Sequence, residues 1–141
     1  MGFLIDTNVL SELRKKEKAN IGVQNWFTNA EGNQLYISFL TLGEIRQGIE
    51  QLKRKDEKAA HALDIWLKQI ESDSVRLILP ITQEIADRWG QINVPDKMPV
   101  IDGFLAATAL VHNLILVTRN IRDVERSGVK VLNPFSEEST L

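Results

Sequence analysis

Residues 3–10 read Phe-Leu-Ile-Asp-Thr-Asn-Val-Leu, a short apolar run that ends abruptly at an acid, a hydroxyl and an amide. Phe3, Leu4 and Ile5 have no helical spacing, which predicts a buried strand with Asp6 at its carboxyl end. Open α/β sheets carry their active sites at that edge. Burying a carboxylate there costs free energy unless a cation or hydrogen-bond donors meet it, so Asp6 needs partners elsewhere in the chain.

The composition narrows the kinds of site that the chain can build. Its 141 residues suit one domain of common size, and the absence of cysteine excludes disulfides, thiolate metal sites and cysteine nucleophiles. The two histidines, His61 and His112, are far apart and isolated, which disfavours a zinc site and a Ser-His-Asp triad. A bound metal would therefore be held by oxygen ligands, which favours magnesium or manganese.

The charge balance and hydropathy argue against two further classes of protein, those that bind nucleic acid through a broad basic surface and those that span a membrane. A net charge of −2 argues against a protein that grips nucleic acid with a broad basic surface, although it allows phosphate binding through metal ions in an acidic pocket. No apolar run approaches the roughly 18 residues of a membrane span, and no leader pattern opens the chain. These observations predict a soluble, cytoplasmic protein with no membrane association.

Predicted strands alternate with helical patterns along the whole chain. This alternation indicates an α/β fold with a mostly parallel sheet and helices on both faces. No repeat, low-complexity segment or linker marks a second domain. The predicted strands are residues 3–5, 35–38, 75–79, 114–117 and 129–132.

Four acids follow strands or open the helices that come after them. Asp6 follows the first strand, Glu44 opens the helix after the second, Asp102 opens the apolar helix that contains residues 104–111, and Asp123 lies just beyond the fourth strand. Because parallel strand ends share one edge, these carboxylates can face one cleft. Gathered carboxylates repel one another and take up protons unless divalent cations compensate them, so the cluster predicts a magnesium site.

Each acid also has a purely structural interpretation. Asp6 can cap the first helix, since Asp is a favoured N-cap. Thr41-x-x-Glu44 fits a capping box, in which Glu44 bonds back to the Thr41 amide. Asp102 can likewise be an N-cap, and Asp123 can be a solvated surface charge. Only the combination of all four favours a functional site.

Uncharged polar residues accompany the acids at the same predicted edge. Thr7 and Asn8 follow Asp6, and Thr118 and Asn120 end the fourth strand. Their hydroxyl and amide groups suit the binding of a water molecule or a phosphate oxygen.

Four segments occur in the order and approximate spacing of PIN-domain proteins. The chain resembles the VapC-type toxins of that family, close to the FitB-like branch, from the first strand to about Pro134. The resemblance implies a single PIN domain over residues 1–134, followed by a polar tail at 135–141. The segments are Leu4-Ile5-Asp6-Thr7-Asn8-Val9-Leu10-Ser11-Glu12, Thr41-x-x-Glu44-Ile45-x-x-Gly48, Asp102-x-x-Leu105-Ala106-Ala107-Thr108-Ala109 and Val117-Thr118-Arg119-Asn120-x-x-Asp123.

The resemblance implies a three-layer α/β/α sandwich around a mostly parallel sheet of four to five strands. It also implies an endoribonuclease that depends on Mg²⁺ or Mn²⁺ and hydrolyses RNA phosphodiester bonds with metal-activated water. Such a protein is the toxin of a type II toxin–antitoxin pair and usually forms a homodimer. Its inhibitor is a VapB-like antitoxin that also binds promoter DNA, so the toxin reaches DNA only indirectly.

The same resemblance implies a role for each site residue. Asp6 and Asp102 are the metal ligands, and Glu44 is a further ligand or a base. For the fourth position, some relatives place an aspartate where this chain has Asn120, and others use the acid that is Asp123 here. Only Asp123 is acidic in this chain, and the resemblance leaves both residues as candidates for that position. Independently of the resemblance, Arg119 or the basic runs at residues 15–16 and 53–55 are candidates to steer the RNA backbone, although such runs are more often only solvated faces.

Two rival functions come from other classes. A PIN-like binding module that forms an antitoxin complex and modulates DNA binding would be expected to have a broken acidic set, whereas three acids are intact here. A phosphoacceptor receiver domain would need an acid at the end of the third strand and a lysine at the end of a later one. Leu79-Pro80 and Thr118-Arg119 do not supply them.

Overall fold

The fold is a sheet of five parallel strands between two layers of helices. The computed structural model describes residues 2–30, 32–73 and 77–136, and the strands of these parts lie in the order β3-β2-β1-β4-β5. The predicted three-layer α/β fold is confirmed. The strands are β1 (Phe3–Ile5), β2 (Leu35–Ser38), β3 (Ile78–Leu79), β4 (Ile115–Val117) and β5 (Val131–Leu132).

Helices connect the strands and cover both faces of the sheet. Residues 75–76 of the predicted third strand and residues 137–141 of the predicted tail lie outside the described residues. The single-domain boundary at residue 134 remains a prediction. The helices are α1 (Thr7–Leu13), α2 (Ile21–Asn29), α3 (Phe39–Lys53), α4 (Glu57–Asp73), α5 (Gln83–Ile92), α6 (Val100–His112) and α7 (Ile121–Val124).

The central strand β1 explains why the opening run is apolar without alternation. Leu4 packs into the core cluster that includes Leu105 of α6, whereas Ile5 packs into the cluster on the other face, which includes Ile49 of α3. Successive strand residues point to opposite faces, so a strand covered on both sides must be apolar at every position. β1 is thus buried between both helical layers.

The strand order places β1 and β4 at the point where the connections change direction. β1 pairs with β2 on one side and with β4 on the other, and both pairings are parallel. Ligands of open α/β sheets bind outside the carboxyl ends of strands at such a switch point. The residues after Ile5 and Val117 therefore face the expected site. None of the helices in the described ranges is both long and apolar enough to cross a membrane.

The segment after β5 returns to the start of α2 and packs directly on its backbone. Asn20 caps α2 by accepting from Gly22 N at 3.0 Å, and the same oxygen accepts from Ser136 N at 2.9 Å. A Cβ atom on Gly22 would lie 2.4 Å from the Pro134 carbonyl oxygen and 2.5 Å from Ser136 N. Only glycine allows this approach, because backbone atoms on both sides leave no room for a side chain.

Replacing Gly22 with Ala is expected to destabilise the protein by about 1–3 kcal/mol, since the added methyl overpacks a backbone contact. Gly48→Ala is the matched control, because Gly48 lies exposed inside α3 and a Cβ there meets nothing within 4 Å. The control should stabilise the helix by up to about 1 kcal/mol. Urea unfolding of both variants measures the two effects, and equal midpoints would contradict the assigned contact.

Candidate active site

Asp6 lies where β1 ends and α1 begins, and the residue is only 5% exposed. It is the N-cap of α1, and its Oδ1 accepts from Thr7 N at 2.7 Å. The capping interpretation is therefore correct. It does not exclude a functional role, because only Oδ1 makes the cap bond and Oδ2 binds other groups.

The second oxygen of Asp6 binds the end of β4. Thr118 Oγ1 donates to Asp6 Oδ2 at 2.7 Å, and Asn8 Nδ2 donates to the same oxygen at 3.3 Å. The Thr118 hydroxyl also accepts from Asn120 N at 3.0 Å, which fixes its proton toward Asp6. The hydrogen-bond partners that the sequence required for Asp6 are thus neutral groups, two of them local and one 112 residues away.

Burial raises the pKa of Asp6, and the hydrogen bonds from Thr118, Thr7 and Asn8 oppose that rise. Neutral donors stabilise the carboxylate without cancelling its charge. Asp6 is therefore a buried acid whose ionised form a nearby cation would stabilise further.

Glu44 lies in the second turn of α3 and is tied to the residue next to Asp6. Thr7 Oγ1 donates to Glu44 Oε1 at 2.5 Å. The predicted capping box is wrong, because α3 begins at Phe39 and its cap is Ser38, whose Oγ accepts from Leu40 N at 3.1 Å. Thr41 consequently lies inside the helix, and Glu44 is available to the site.

Asp102 is the third residue of α6, within its first turn. The prediction that Asp102 caps this helix is wrong, because α6 already begins at Val100 and its N-cap is Pro99, which makes no side-chain cap bond. A carboxylate in the first turn lies near the positive end of the helix dipole.

The electrostatics of Asp102 show that the four predicted acids converge. The pKa of Asp102 is raised to about 6, chiefly by desolvation and then by the charges of Asp6, Asp123 and Glu44, in that order. The Asn120 side chain has the opposite effect on this pKa. Asp123 itself is exposed in α7, as its surface-charge interpretation expected, yet its field reaches Asp102. The carboxyl edge of the sheet thus concentrates negative charge around one half-buried carboxyl.

A divalent cation fits this donor set. All the candidate ligands are oxygens, and a bound cation would favour the ionised form of Asp102 that the other acids disfavour. Within residues 2–30, 32–73 and 77–136, no three Asp, Glu or His side chains form a ready-made cage for one ion. Mg²⁺ commonly takes one or two carboxylates and keeps several waters, so the arrangement suits that kind of binding.

The sequence did not predict that Trp89 of α5 packs against α6 next to Asp102. Gly103 follows it in α6, and a Cβ there would lie 3.1 Å from Trp89 Nε1 of α5. The Trp89 ring stacks on Phe104 with centroids 4.6 Å apart and an interplanar angle of 1°. Glycine inside a helix costs about 1 kcal/mol relative to alanine, and that unfavourable choice was a signal of close packing at this position.

The hydroxyls of Thr7 and Thr118 both donate hydrogen bonds to carboxylates of the site. Thr7 donates to Glu44 and Thr118 donates to Asp6, so both threonines orient acids. Asn8 has a double role, because its Nδ2 donates to Asp6 and its Oδ1 accepts from Arg119 N at 3.2 Å. The ends of β1 and β4 are thereby joined through side chains at the site.

Comparison with known proteins places this site in a family. The sequence is 28% identical to the VapC ribonuclease Y4jK of Sinorhizobium fredii over 94% of this chain and 96% of that protein. It is 29% identical to the toxin FitB of Neisseria gonorrhoeae over 95% of this chain and 99% of that protein.

Solved structures give the same result for the fold. A FitAcB complex from Neisseria gonorrhoeae superposes with a TM-score of 0.84 at 30% identity over 94% of this chain and 97% of that one. FitAB bound to a DNA fragment gives 0.83 at 28% identity over 99% of both chains. The sequence pattern of the PIN domain matches residues 3–127, which include all four acids. The chain belongs to the PIN-domain family.

Proposed function

We propose that this protein is a metal-dependent endoribonuclease and the toxin of a VapBC-type toxin–antitoxin pair. The observation that carries the proposal is the convergence of Asp6, Glu44 and Asp123 on Asp102 at the carboxyl edge of the sheet. Relatives named as a VapC ribonuclease and as the toxin FitB support the substrate class and the biological role. RNA is therefore the proposed substrate, which the protein would meet in the cytoplasm.

Asp6 and Asp102 would hold the metal, with Glu44 and Asp123 beside them. The oxygen-only ligand set favours Mg²⁺ or Mn²⁺. When bound, such an ion supplies Lewis-acid chemistry, since it lowers the pKa of a water and stabilises charge on a phosphate.

The protein's own groups would orient the reaction. Thr118 and Asn8 fix the Asp6 carboxylate, and Thr7 fixes Glu44 through Oε1. We assign Glu44 Oε2 to accept a proton from the attacking water, because the other oxygen is already engaged by Thr7.

The proposed partner is a VapB-like antitoxin that would contact DNA on behalf of the complex. The structural relatives support this partner, because two of them are FitA–FitB complexes and one of those is bound to DNA. The homodimer remains a prediction from the resemblance.

The proposal is tested by incubating purified protein with a mixed RNA pool in Mg²⁺, in EDTA, and in EDTA followed by excess Mg²⁺. Cleavage is expected in the first and third conditions only. Asp6→Asn should reduce the rate at least about 100-fold, a larger loss than the 10–100-fold typical of residues that only orient a metal ligand. Asn remains a good helix cap, so α1 should persist.

Thermal unfolding of Asp6→Asn checks that the fold is retained. Cleavage that survives the substitution would disprove the assigned role of Asp6, and cleavage that survives EDTA would disprove metal dependence. If no RNA is cut in any metal, the PIN-like binding module becomes the better assignment.

A further inference from the structure

Arg119 is anchored next to the acidic site by its backbone. Its N–H donates to Asn8 Oδ1 at 3.2 Å, and the Nδ2 of the same Asn8 donates to Asp6 Oδ2 at 3.3 Å. One side chain therefore links the Arg119 backbone to a candidate metal ligand. The Arg119 side chain extends from this point at the edge of the acidic site to Phe135.

The guanidinium of Arg119 is held on an aromatic platform. Its central carbon lies 4.6 Å from the centre of the Phe135 ring. A guanidinium carries five N–H donors, so a cation–π contact leaves donors available to bind an anion. Among the residues that the structure describes, none forms an ion pair with Arg119 within 4.0 Å.

The platform is itself fixed to the start of α2. Asn20 Nδ2 donates to the Ser136 carbonyl oxygen at 3.0 Å, and Ser136 N donates to Asn20 Oδ1 at 2.9 Å. Phe135 N donates to Asn133 Oδ1 at 3.0 Å. With the Gly22 contact, these bonds hold Phe135 on both sides, so Arg119 stacks on a positioned ring.

Arg119 and Phe135 line an open cleft that we call the Arg119 cleft. Its volume is about 1080 Å³, slightly above the ~300–1,000 Å³ of typical small-molecule pockets, which leaves room for a stretch of polymer. The wall that gives it its charge comprises Glu12, Lys15, Lys18 and Arg119.

The cleft is basic in a chain whose net charge is −2. Its one acid among the residues that line it, Glu12, is bound by Lys15 Nζ at 2.9 Å and by Asn20 N at 2.8 Å. Lys18 and Arg119 remain as further cations on the same wall. This local excess of positive charge lies next to carboxylates that would repel a polyanion.

We propose that the Arg119 cleft binds the phosphate backbone of the RNA adjacent to the cleaved bond, with Arg119 on Phe135 as the principal contact. This inference rests on the proposed ribonuclease function. A planar guanidinium can bind a phosphate through two parallel N–H donors. Ala19, Ile21 and Phe135 add apolar surface to the cleft, but Lys15, Lys18 and Arg119 give it the positive charge that favours a polyanion.

The test measures binding of a fluorescein-labelled, mixed-sequence, single-stranded RNA to the full chain in low-salt EDTA buffer, where the proposed cleavage is halted. Arg119→Gln should weaken binding about 10-fold and reduce the slope of log affinity against log salt by about 0.7, the value for one lost phosphate contact on a single strand. Arg119→Lys should keep the salt slope but recover only part of the affinity, since lysine retains the charge but lacks the paired, planar N–H donors of arginine.

Phe135→Leu keeps the apolar volume and removes the π face. Binding should weaken about 2–5-fold with an unchanged salt slope, because the charge remains while its position is lost. Lys58→Gln is the matched control for charge. Lys58 is an exposed cation in the first turn of α4 and does not line the Arg119 cleft, so this variant should bind like the wild type.

Steady-state cleavage in Mg²⁺ provides the second readout. Arg119→Gln should raise KM with little change in kcat, whereas damage to the fold would lower kcat.

Equal RNA affinity and salt slope for Arg119→Gln and wild type, or no binding by wild type, would overturn the inference even if cleavage is intact. Wild-type protein that binds RNA through Arg119 but cuts nothing would sustain the inference and disprove the proposed nuclease. Loss of a copurified protein partner with RNA binding unchanged would reassign the cleft to that partner.

Discussion

Asp102→Asn is expected to abolish metal-dependent RNA cleavage, with a fall in kcat/KM of at least about 100-fold, while the protein remains folded. The substitution removes a carboxylate at the point where the fields of Asp6, Asp123 and Glu44 meet. It keeps the shape of the side chain, so α6 and the Trp89 contact at Gly103 should be unchanged. Initial rates on one RNA at several Mg²⁺ concentrations measure the effect.

The same variant should be at least as stable as wild type in metal-free buffer, and its stability should depend less on pH. The folded protein holds the pKa of Asp102 at about 6, above its ordinary value of 3.8, chiefly through desolvation. Because the folded state then binds the proton more tightly than the unfolded chain, the contribution of Asp102 to stability is greatest below about pH 4. It declines as the pH rises to about 6 and stays constant above that.

Asp102→Asn removes this decline, and urea unfolding of both proteins between pH 4 and 8 in EDTA measures it. The contribution of Asp6 to stability also declines as the pH rises, since burial raises its pKa too. Part of the pH dependence of stability should therefore persist in the variant. A variant that is less stable than wild type at pH 7 would contradict the account. Sites that bind charge commonly reduce stability in this way.

Thr118→Val should lower both stability and activity. The hydroxyl donates to the buried Asp6 Oδ2 at 2.7 Å, and valine leaves that oxygen without its strongest donor. Losing a hydrogen bond to a charged group costs about 1.5–3 kcal/mol. The rate of cleavage should fall about 10–100-fold, as expected for a residue that orients a metal ligand.

A pH profile distinguishes this mechanism from simple loss of packing. Thr118 lowers the pKa of Asp6, so its removal should move the acid limb of the cleavage profile to higher pH. Thr118→Ser retains the donor and should keep the wild-type profile. If the serine and valine variants behave alike, the hydroxyl is not the group that matters.

Local sequence signals predicted where the five described strands lie, although β4 and β5 begin one and two residues later than predicted and residue 77 lies before β3. The run from Phe3 to Ile5 is the central strand, and Asp6 ends it as expected. Thr82 directly precedes α5 and is of a residue type favoured as an N-cap, and its Oγ1 accepts from Ile85 N at 3.2 Å. These features depend on a few neighbouring residues, which is why pattern and propensity suffice for them.

The errors arose where two local signals competed. Thr41-x-x-Glu44 has the pattern of a capping box, but Ser38 ends β2 and caps α3 three residues earlier. Asp102 resembles an N-cap, but the chain is already helical from Val100. In both cases a helix begins sooner than the most obvious cap, because the preceding residues can satisfy or omit the cap bond.

The remaining features depend on contacts between distant parts of the chain. Nothing near Arg119 indicates that its guanidinium lies over Phe135, and nothing near Gly22 indicates the Pro134 carbonyl. These contacts follow from the return of the chain to α2 after β5, which only the assembled fold determines.

The strand order also has a consequence for when the protein becomes active during its synthesis. β1 is synthesised first, but its neighbour β4 comes late in the chain. Thr118 can therefore bind Asp6 only after another 112 residues have been translated. Pairing between such distant segments is slow and cannot precede their emergence from the ribosome. A nascent chain therefore carries an unfinished acidic site while it is still beside the RNA and the machinery that produce it.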